Sequence, residues 1–145
     1  MIALFWVLWL SVWGDGTRLS ATKHTLSIQI SGLQVAQGTL LVSVFASPAG
    51  FPTDQSYALC VQKIPLIDLL DQPPRVQFNL PEGHYAVAVL HDKNKNGRMD
   101  TNWVGMPKEG YCVSNNVKGH VGPPRFEQAQ FWLSRDARQQ LQLIY

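Results

Sequence analysis

The fold of this chain is decided by one segment, His84-Tyr85-Ala86-Val87-Ala88-Val89-Leu90-His91. It is apolar on both faces, because Tyr85, Val87 and Val89 alternate with two alanines and a leucine. A strand with two apolar faces is covered on both sides, so it lies centrally in a sheet or sandwich. The preceding run Pro81-Glu82-Gly83 is typical of a turn that leads into such a strand.

Shorter strand patterns flank this segment on both sides. Residues 26–30 and 76–80 alternate between apolar and polar side chains, the period of a half-buried strand. Further strands are predicted at 39–46, 57–64, 129–133 and 139–145. The chain is therefore predicted to be all-β, an antiparallel β-sandwich of about seven strands, immunoglobulin-like or transthyretin-like. One turn of helix is expected near 67–70 or 126–130, and residues 92–125 form one long ordered loop.

Composition limits the classes of function. The chain has 145 residues, enough for one domain, of which 46% are apolar and 15% charged, so it is not a disordered chain. Its formal charge of +2 is small and its basic residues are scattered, which excludes a nucleic-acid partner.

The N-terminus resembles an export signal. Residues 2–13 are apolar and hold three of the five tryptophans, and the first charge is Asp15. The run is shorter than the roughly 20 residues of a membrane span and matches the apolar core of a signal peptide. We therefore expect a signal peptide over residues 1–21, a single β-sandwich domain over 22–145, and a periplasmic or extracellular location without a stable membrane span. The alternative is a buried N-terminal helix or strand.

Directly after the central strand, oxygen-bearing residues recur at alternate positions. Gly97 interrupts them where a sharp turn is needed, as in loops that surround a hard cation. This spacing predicts a calcium site whose ligands are the side chains of Asp92, Asn94, Asn96 and Asp100 and the backbone carbonyl of Arg98.

The loop differs from a helix–loop–helix calcium site. Trp103 stands at the twelfth position, where such sites have a bidentate glutamate, and a strand precedes the loop. The missing ligand must come from Thr101, Asn102, water or Glu109. Low ligand charge predicts weak, structural calcium binding, with a dissociation constant on the order of 10⁻⁴–10⁻³ M. The alternative is a loop without metal, in which Asn and Asp side chains bind their own backbone.

Two cysteines, Cys60 and Cys112, lie in the body of the chain. In an exported protein such a pair predicts a disulfide bond, whereas in the cytosol both would be buried thiols.

Several motifs then follow one another in a fixed order from Leu80 onward: Leu80-Pro81-Glu82-Gly83-His84-Tyr85-Ala86-Val87-Ala88-Val89, His91-Asp92, Gly105-Met106-Pro107-Lys108-Glu109-Gly110-Tyr111, Ser114-Asn115-Asn116, and Gly122-Pro123-Pro124-Arg125-Phe126-Glu127 with Ala129. This order resembles the exported bacterial domain-of-unknown-function family 2141. The resemblance implies an exported β-sandwich-like domain and implies no reaction. Cys112 stands where the family pattern has a glycine and Cys60 lies outside the pattern, which fits a disulfide specific to this branch that clamps the loop to the third strand.

Two classes of function are compatible with these residues. The first is a binding or accessory module for a small molecule, a glycan or a protein. Its ligand surface would lie on the long loop, at Trp103, Met106, Lys108, Glu109, Tyr111 and Ser114. Alternatively, the large apolar side chains of the loop cover the open end of the sandwich.

The second class is a small hydrolase-like enzyme that uses Glu109 and His91 as a general base pair, or Ser114 as a nucleophile. No nucleophile elbow, zinc-protease helix or phosphate loop accompanies these residues. His91 continues an apolar face, which indicates a structural histidine, and Ser114-Asn115-Asn116 is typical of a turn. The sequence therefore favours a calcium-stabilised binding module over the enzyme.

Overall fold

A computed structural model describes residues 21–67 and 72–145, which form eight strands and one short helix. The strands are β1 (Lys23–Ser31), β2 (Thr39–Phe45), β3 (Cys60–Pro65), β4 (Arg75–Pro81), β5 (Gly83–Asp92), β6 (Tyr111–Val113), β7 (Phe131–Leu133) and β8 (Ala137–Gln142). The helix α1 spans Phe126–Ala129, and 3₁₀ turns occur at Gln55–Tyr57 and Ser114–Asn116. Within the described residues, no helix has the length and apolar character needed to cross a bilayer.

The strands form two sheets. The first has three strands in the order β4-β1-β8. The second has five, with β3, β2, β5 and β6 in that order and β7 paired with another part of β5. The predicted β-sandwich is confirmed, and β5 lies centrally as its two apolar faces predict. One pair differs from the antiparallel prediction, because β8 runs parallel to β1. Residues 134–136 carry the chain from β7 in one sheet to β8 in the other, and Asp136 Oδ1 accepts the Thr25 N–H at 2.7 Å to hold that crossing.

One core fills the space between the sheets. The inward side chains of β1, β4 and β8 meet those of β2 and β5, and all of them are buried. They include Leu26, Ile28, Ile30, Val76, Phe78, Leu80, Leu141, Leu40, Val42, Val44, Tyr85, Val87 and Val89. The alternation read from the sequence therefore identifies which face of each strand is buried.

The outer face of the five-stranded sheet is only half covered. Phe45 and Ala86 lie under a second apolar cluster, in which Phe51 makes edge-to-face contacts with Phe45 at 5.3 Å and with Phe126 at 5.8 Å between ring centroids. The other half of this face, with Leu41, Ser43 and Leu90, lines a cleft, and Ala88 lies at its border with the cluster. The open half determines where a ligand can approach the sheet.

Local differences from the predicted elements have local causes. Tyr57 was expected in a strand but ends a 3₁₀ turn, because the Asp54 carboxylate accepts the Ser56 N–H at 3.0 Å. The helical turn expected near 126–130 is confirmed as α1. Strand β6 lies inside the segment expected to be loop. Residues 1–20, where the signal peptide was predicted, and 68–71, within the other expected helical turn, lie outside the described residues.

The predicted disulfide is not formed. Cys60 and Cys112 are free thiols on β3 and β6, strands separated by β2 and β5. Three inter-strand steps amount to about 14 Å, whereas bridged cysteines need Cα atoms within about 7 Å. Burial raises the pKa of Cys112 to about 12 and raises that of Cys60 as well, so both stay protonated and behave as small apolar side chains.

Candidate functional site

The loop after β5 begins at Asp92, whose carboxylate organises the turn that follows. Asp92 is buried, and its two oxygens accept the backbone N–H groups of Asn96 at 3.1 Å and Gly97 at 2.8 Å. Lys95 and Gly97 have positive φ angles of 61° and 78°, so the chain reverses here. The glycine predicted to permit a sharp turn does so.

The other candidate ligands converge on the same turn. Asn94 Nδ2 donates to Asp100 Oδ2 at 2.5 Å, and Asn96 Nδ2 donates to Asp100 Oδ1 at 2.9 Å. Asn94 Oδ1 accepts the Asn96 N–H at 3.1 Å, and Asn96 Oδ1 accepts the Arg98 N–H at 3.0 Å. The side chains of Asp92, Asn94, Asn96 and Asp100 therefore meet, whereas the Arg98 side chain is exposed.

The types of oxygen atom in this set of candidate ligands limit which metal ions could bind there. Within residues 21–67 and 72–145, no group of three or more His, Cys, Asp and Glu side chains could hold a metal ion. A cation here would depend on amide and backbone oxygens in addition to the carboxylates of Asp92 and Asp100. Neutral oxygen ligands suit calcium and do not suit zinc. These residue types are the ones calcium prefers. In the structure, however, Asn94 and Asn96 direct their Nδ2 groups at Asp100 while their Oδ1 atoms accept backbone N–H groups, the arrangement of the predicted alternative without metal.

Glu109 closes the loop from its far end. Its side chain is buried, with Oε1 accepting the Lys93 N–H at 2.8 Å and Oε2 accepting the Asp100 N–H at 3.2 Å. One carboxylate thus ties together both ends of the ligand-bearing turn. Glu109 is therefore a clamp within the loop, and the prediction that it lies on a ligand surface is wrong.

Residues 101–107 form a second ordered turn, here called the Trp103 turn. Asn102 Oδ1 accepts the N–H groups of Val104 at 3.0 Å and Met106 at 2.9 Å, and Asn102 N donates to the Met106 carbonyl at 2.8 Å. These bonds hold Trp103 at the tip, where it is 95% exposed. Of the large apolar loop residues, which are predicted either to bind a ligand or to cover the end of the sandwich, Trp103 therefore covers nothing within residues 21–67 and 72–145.

A cleft of about 460 Å³ lies over the open half of the outer sheet face. Leu41, Ala88 and Leu90 form its floor, and Tyr111 stands beside them on β6. Its walls come from three loops, with lining residues within 52–55, 99–107 and 119–124. The cleft therefore brings the end of the candidate calcium loop, residues 92–100 and here called the metal-type loop, together with two segments that are distant from it in sequence.

One polar group lies on this apolar floor. Ser43 is 2% exposed and forms no side-chain hydrogen bond within the described residues. No fully enclosed side-chain nitrogen or oxygen there lacks a partner, so the Ser43 hydroxyl keeps access to the cleft. Gln55, Thr101 and His120 line the walls. The site thus combines an apolar surface with a few hydrogen-bonding groups, as small-molecule sites do.

The six residues predicted to form a ligand surface separate into two groups. Trp103, Met106 and Lys108 are exposed, and Met106 and the half-buried Tyr111 line the cleft. Ser114, like Glu109, is buried and cannot be part of a surface. The Ser114 hydroxyl accepts the Val87 N–H at 2.9 Å and donates to the Ala129 carbonyl at 2.6 Å. The alternative interpretation of Ser114-Asn115-Asn116 as a backbone-organising turn is confirmed.

His91 is likewise engaged in structural contacts. It is fully buried, with Nε2 2.7 Å from the Gln37 carbonyl and Nδ1 2.7 Å from the Tyr145 hydroxyl. Because a carbonyl only accepts, Nε2 carries the proton and Nδ1 accepts from Tyr145. Burial raises the pKa of Tyr145, which keeps that donor protonated. Neither ring nitrogen of His91 is free to accept a proton from a substrate.

Most of the cleft was missed by sequence reasoning. The sequence predicts the strands that carry Leu41, Ser43 and Ala88, but no local pattern groups these residues with the proline-rich wall near Pro123. One signal was present, because the central strand alternates large inward residues with small outward ones at Ala86 and Ala88. Small side chains on a covered strand leave room for something else to pack there.

Most of the chain is similar to one family of known proteins. A family model described as an uncharacterized protein conserved in bacteria matches residues 28–141, from β1 to β8. The match includes the whole cleft and the loop that begins at Asp92. No curated protein and no solved structure matches the chain.

Proposed function

The chain belongs to domain-of-unknown-function family 2141, a family of bacterial proteins, and from this premise we propose that it is an exported, calcium-stabilised binding module whose cleft holds an apolar small molecule. The observation that carries the proposal is the cleft of about 460 Å³ over an apolar sheet face. Ligand sites typically enclose about 300–1,000 Å³ and combine apolar walls with few polar groups.

The lining favours an apolar ligand over a glycan. Leu41, Ala88, Leu90 and Met106 are aliphatic, so they exclude water without supplying hydrogen bonds. The Ser43 hydroxyl offers one buried point at which a polar group of the ligand can bind. The expected ligand is therefore a largely apolar molecule that carries one or a few hydrogen-bonding atoms.

The cleft can be tested with the neutral fluorescent probe N-phenyl-1-naphthylamine. Met106→Glu is expected to weaken probe binding by about tenfold, because a carboxylate at the wall keeps its hydration shell and disfavours an apolar neighbour. The measurement is a fluorescence titration of the full chain at constant ionic strength.

Leu59→Glu is the matched control. Leu59 is 55% exposed and Met106 60%, but Leu59 does not line the cleft. The control should bind the probe within twofold of the parent. Equal affinities of the two variants would mean that the probe binds elsewhere, and no binding by the parent would contradict an apolar cleft.

The calcium part of the proposal rests on the convergence of Asp92, Asn94, Asn96 and Asp100. With a dissociation constant near 1 mM, a tenfold excess of calcium should stabilise the fold by about 1.4 kcal/mol, which corresponds to a rise in Tm of about 3–5 °C. Thermal unfolding with and without 10 mM calcium measures this effect.

Asp100→Asn should abolish most of the calcium-dependent rise, since it removes one of two carboxylates in the donor set. Asp54→Asn is the matched control, because Asp54 is an exposed carboxylate in another loop, and its variant should retain the rise. A parent protein whose Tm is the same in calcium and in chelator would refute the metal proposal.

The proposal that the protein is exported rests on the apolar run at residues 2–13. Export is compatible with weak calcium binding, because calcium is abundant outside cells. The alternative of a hydrolase gains no support from geometry. Both ring nitrogens of His91 and both carboxylate oxygens of Glu109 form hydrogen bonds within the fold.

A further inference from the structure

The mouth of the cleft carries large apolar side chains that contact no core. Trp103 is 95% exposed and Val104 56% on the Trp103 turn, and Val121 is 100% exposed on the 119–124 wall. The hydrogen bonds of Asn102 hold the first two in place, so their exposure is built into an ordered turn. Two loops that line one cleft thus present exposed apolar groups to the surroundings.

Positive charge is concentrated in the same part of the chain. Residues 93–125 contain six Lys and Arg residues but two acidic ones, a net charge of +4, whereas the whole chain has +2. One of those two acids, Glu109, is buried and satisfied by backbone N–H groups. The exposed cations are Lys95, Arg98, Lys108, Lys118 and Arg125. The remainder of the chain is therefore net negative, and segment 93–125, which supplies two of the three loop walls of the cleft, is net positive.

We propose that the mouth of the cleft, formed by the Trp103 turn and the 119–122 loop, docks on an anionic lipid bilayer. Tryptophan and aliphatic side chains at loop tips insert into the headgroup region, and surrounding lysines and arginines attract anionic lipids. A protein partner would bury a continuous apolar patch, whereas here separate exposed apolar side chains belong to a segment with five exposed cations. The inference goes beyond the proposed function and needs neither calcium nor a ligand in the cleft.

Quenching of tryptophan fluorescence by brominated lipids reports insertion at a chosen residue. The full chain, Trp103→Phe and Trp132→Phe are compared on vesicles of phosphatidylcholine with or without 30 mol% phosphatidylglycerol. Trp132 is the matched control, since it is 53% exposed, contacts His84 with 4.6 Å between ring centroids, and does not line the cleft. Because all variants keep residues 1–20, differences between them isolate the two tryptophans.

The expected result is that Trp103→Phe removes a component that is quenched only on anionic vesicles, whereas Trp132→Phe removes an unquenched one. Lys95→Glu combined with Lys118→Glu should lower the vesicle affinity measured by this component on the order of tenfold. The same change of charge at Lys23 and Arg138, exposed on β1 and β8, should change it by less than threefold. A Trp103 component that is unquenched, equally quenched by neutral vesicles, or equally sensitive to both charge pairs would overturn the proposal.

Discussion

Glu109→Ala is expected to destabilise the protein by about 3–6 kcal/mol, since hydrogen bonds to a charged group contribute about 1.5–3 kcal/mol each and the residue makes two. The lost acceptors are those of the Lys93 and Asp100 N–H groups. Both ends of the ligand-bearing turn would then be released. Chemical denaturation measures the change in free energy of unfolding, and amide hydrogen exchange at Lys93 and Asp100 should accelerate.

Glu82→Ala provides the comparison. Glu82 is exposed in the turn between β4 and β5, so its replacement should change the free energy of unfolding by no more than about 0.5 kcal/mol. If the two variants are equally stable, the clamp does not exist. Because Glu109 holds the loop, loss of any activity in a Glu109 variant would not by itself identify a catalytic residue.

Ser114→Ala is expected to lower the free energy of unfolding by about 1–3 kcal/mol, because the buried Val87 N–H loses its acceptor. The Ala129 carbonyl loses one donor but keeps Asn115 Nδ2 at 3.1 Å. Along β5, β7 pairs with residues 83–85 and β6 with residues 88–90. The Ser114 hydroxyl fills the gap between them by accepting the Val87 N–H, and it binds the Ala129 carbonyl at the end of α1. Its removal should loosen the packing of α1 over the sheet.

The exposed Ser134 gives a matched substitution, Ser134→Ala, which should alter stability by no more than about 0.5 kcal/mol. Equilibrium unfolding of both variants decides the matter. A Ser114→Ala protein as stable as its control would show that the hydroxyl is dispensable, and the gap in the β5 ladder would need another explanation.

Both substitutions act on the walls of the cleft rather than on its floor. Glu109 orders the segment that leads to Met99 and the Trp103 turn, and Ser114 joins β6 to α1 below the 119–124 wall. The two variants should therefore weaken binding of the apolar probe through loss of order, and Met106→Glu should weaken it without a matching loss of stability.

The sequence by itself determined the class of fold and the position of the metal-type loop. Strand alternation and ligand spacing are local properties, so Val87 and Val89 indicate a central strand, and Asp92 with Gly97 indicate a tight oxygen-lined turn, without knowledge of the rest. The resemblance of the Leu80–Ala129 motifs to a bacterial family is likewise visible in the order of residues.

Tertiary structure alone decided which residues meet. Cys60 and Cys112 are a plausible pair in sequence, but two intervening strands keep them apart. Ser43 and His120 are far apart in the chain and line one cleft. Glu109 and Ser114 look like surface groups, yet their side chains satisfy buried backbone N–H groups. The physical reason is that sheet order and loop packing are set by long-range contacts, which no local pattern of residues encodes.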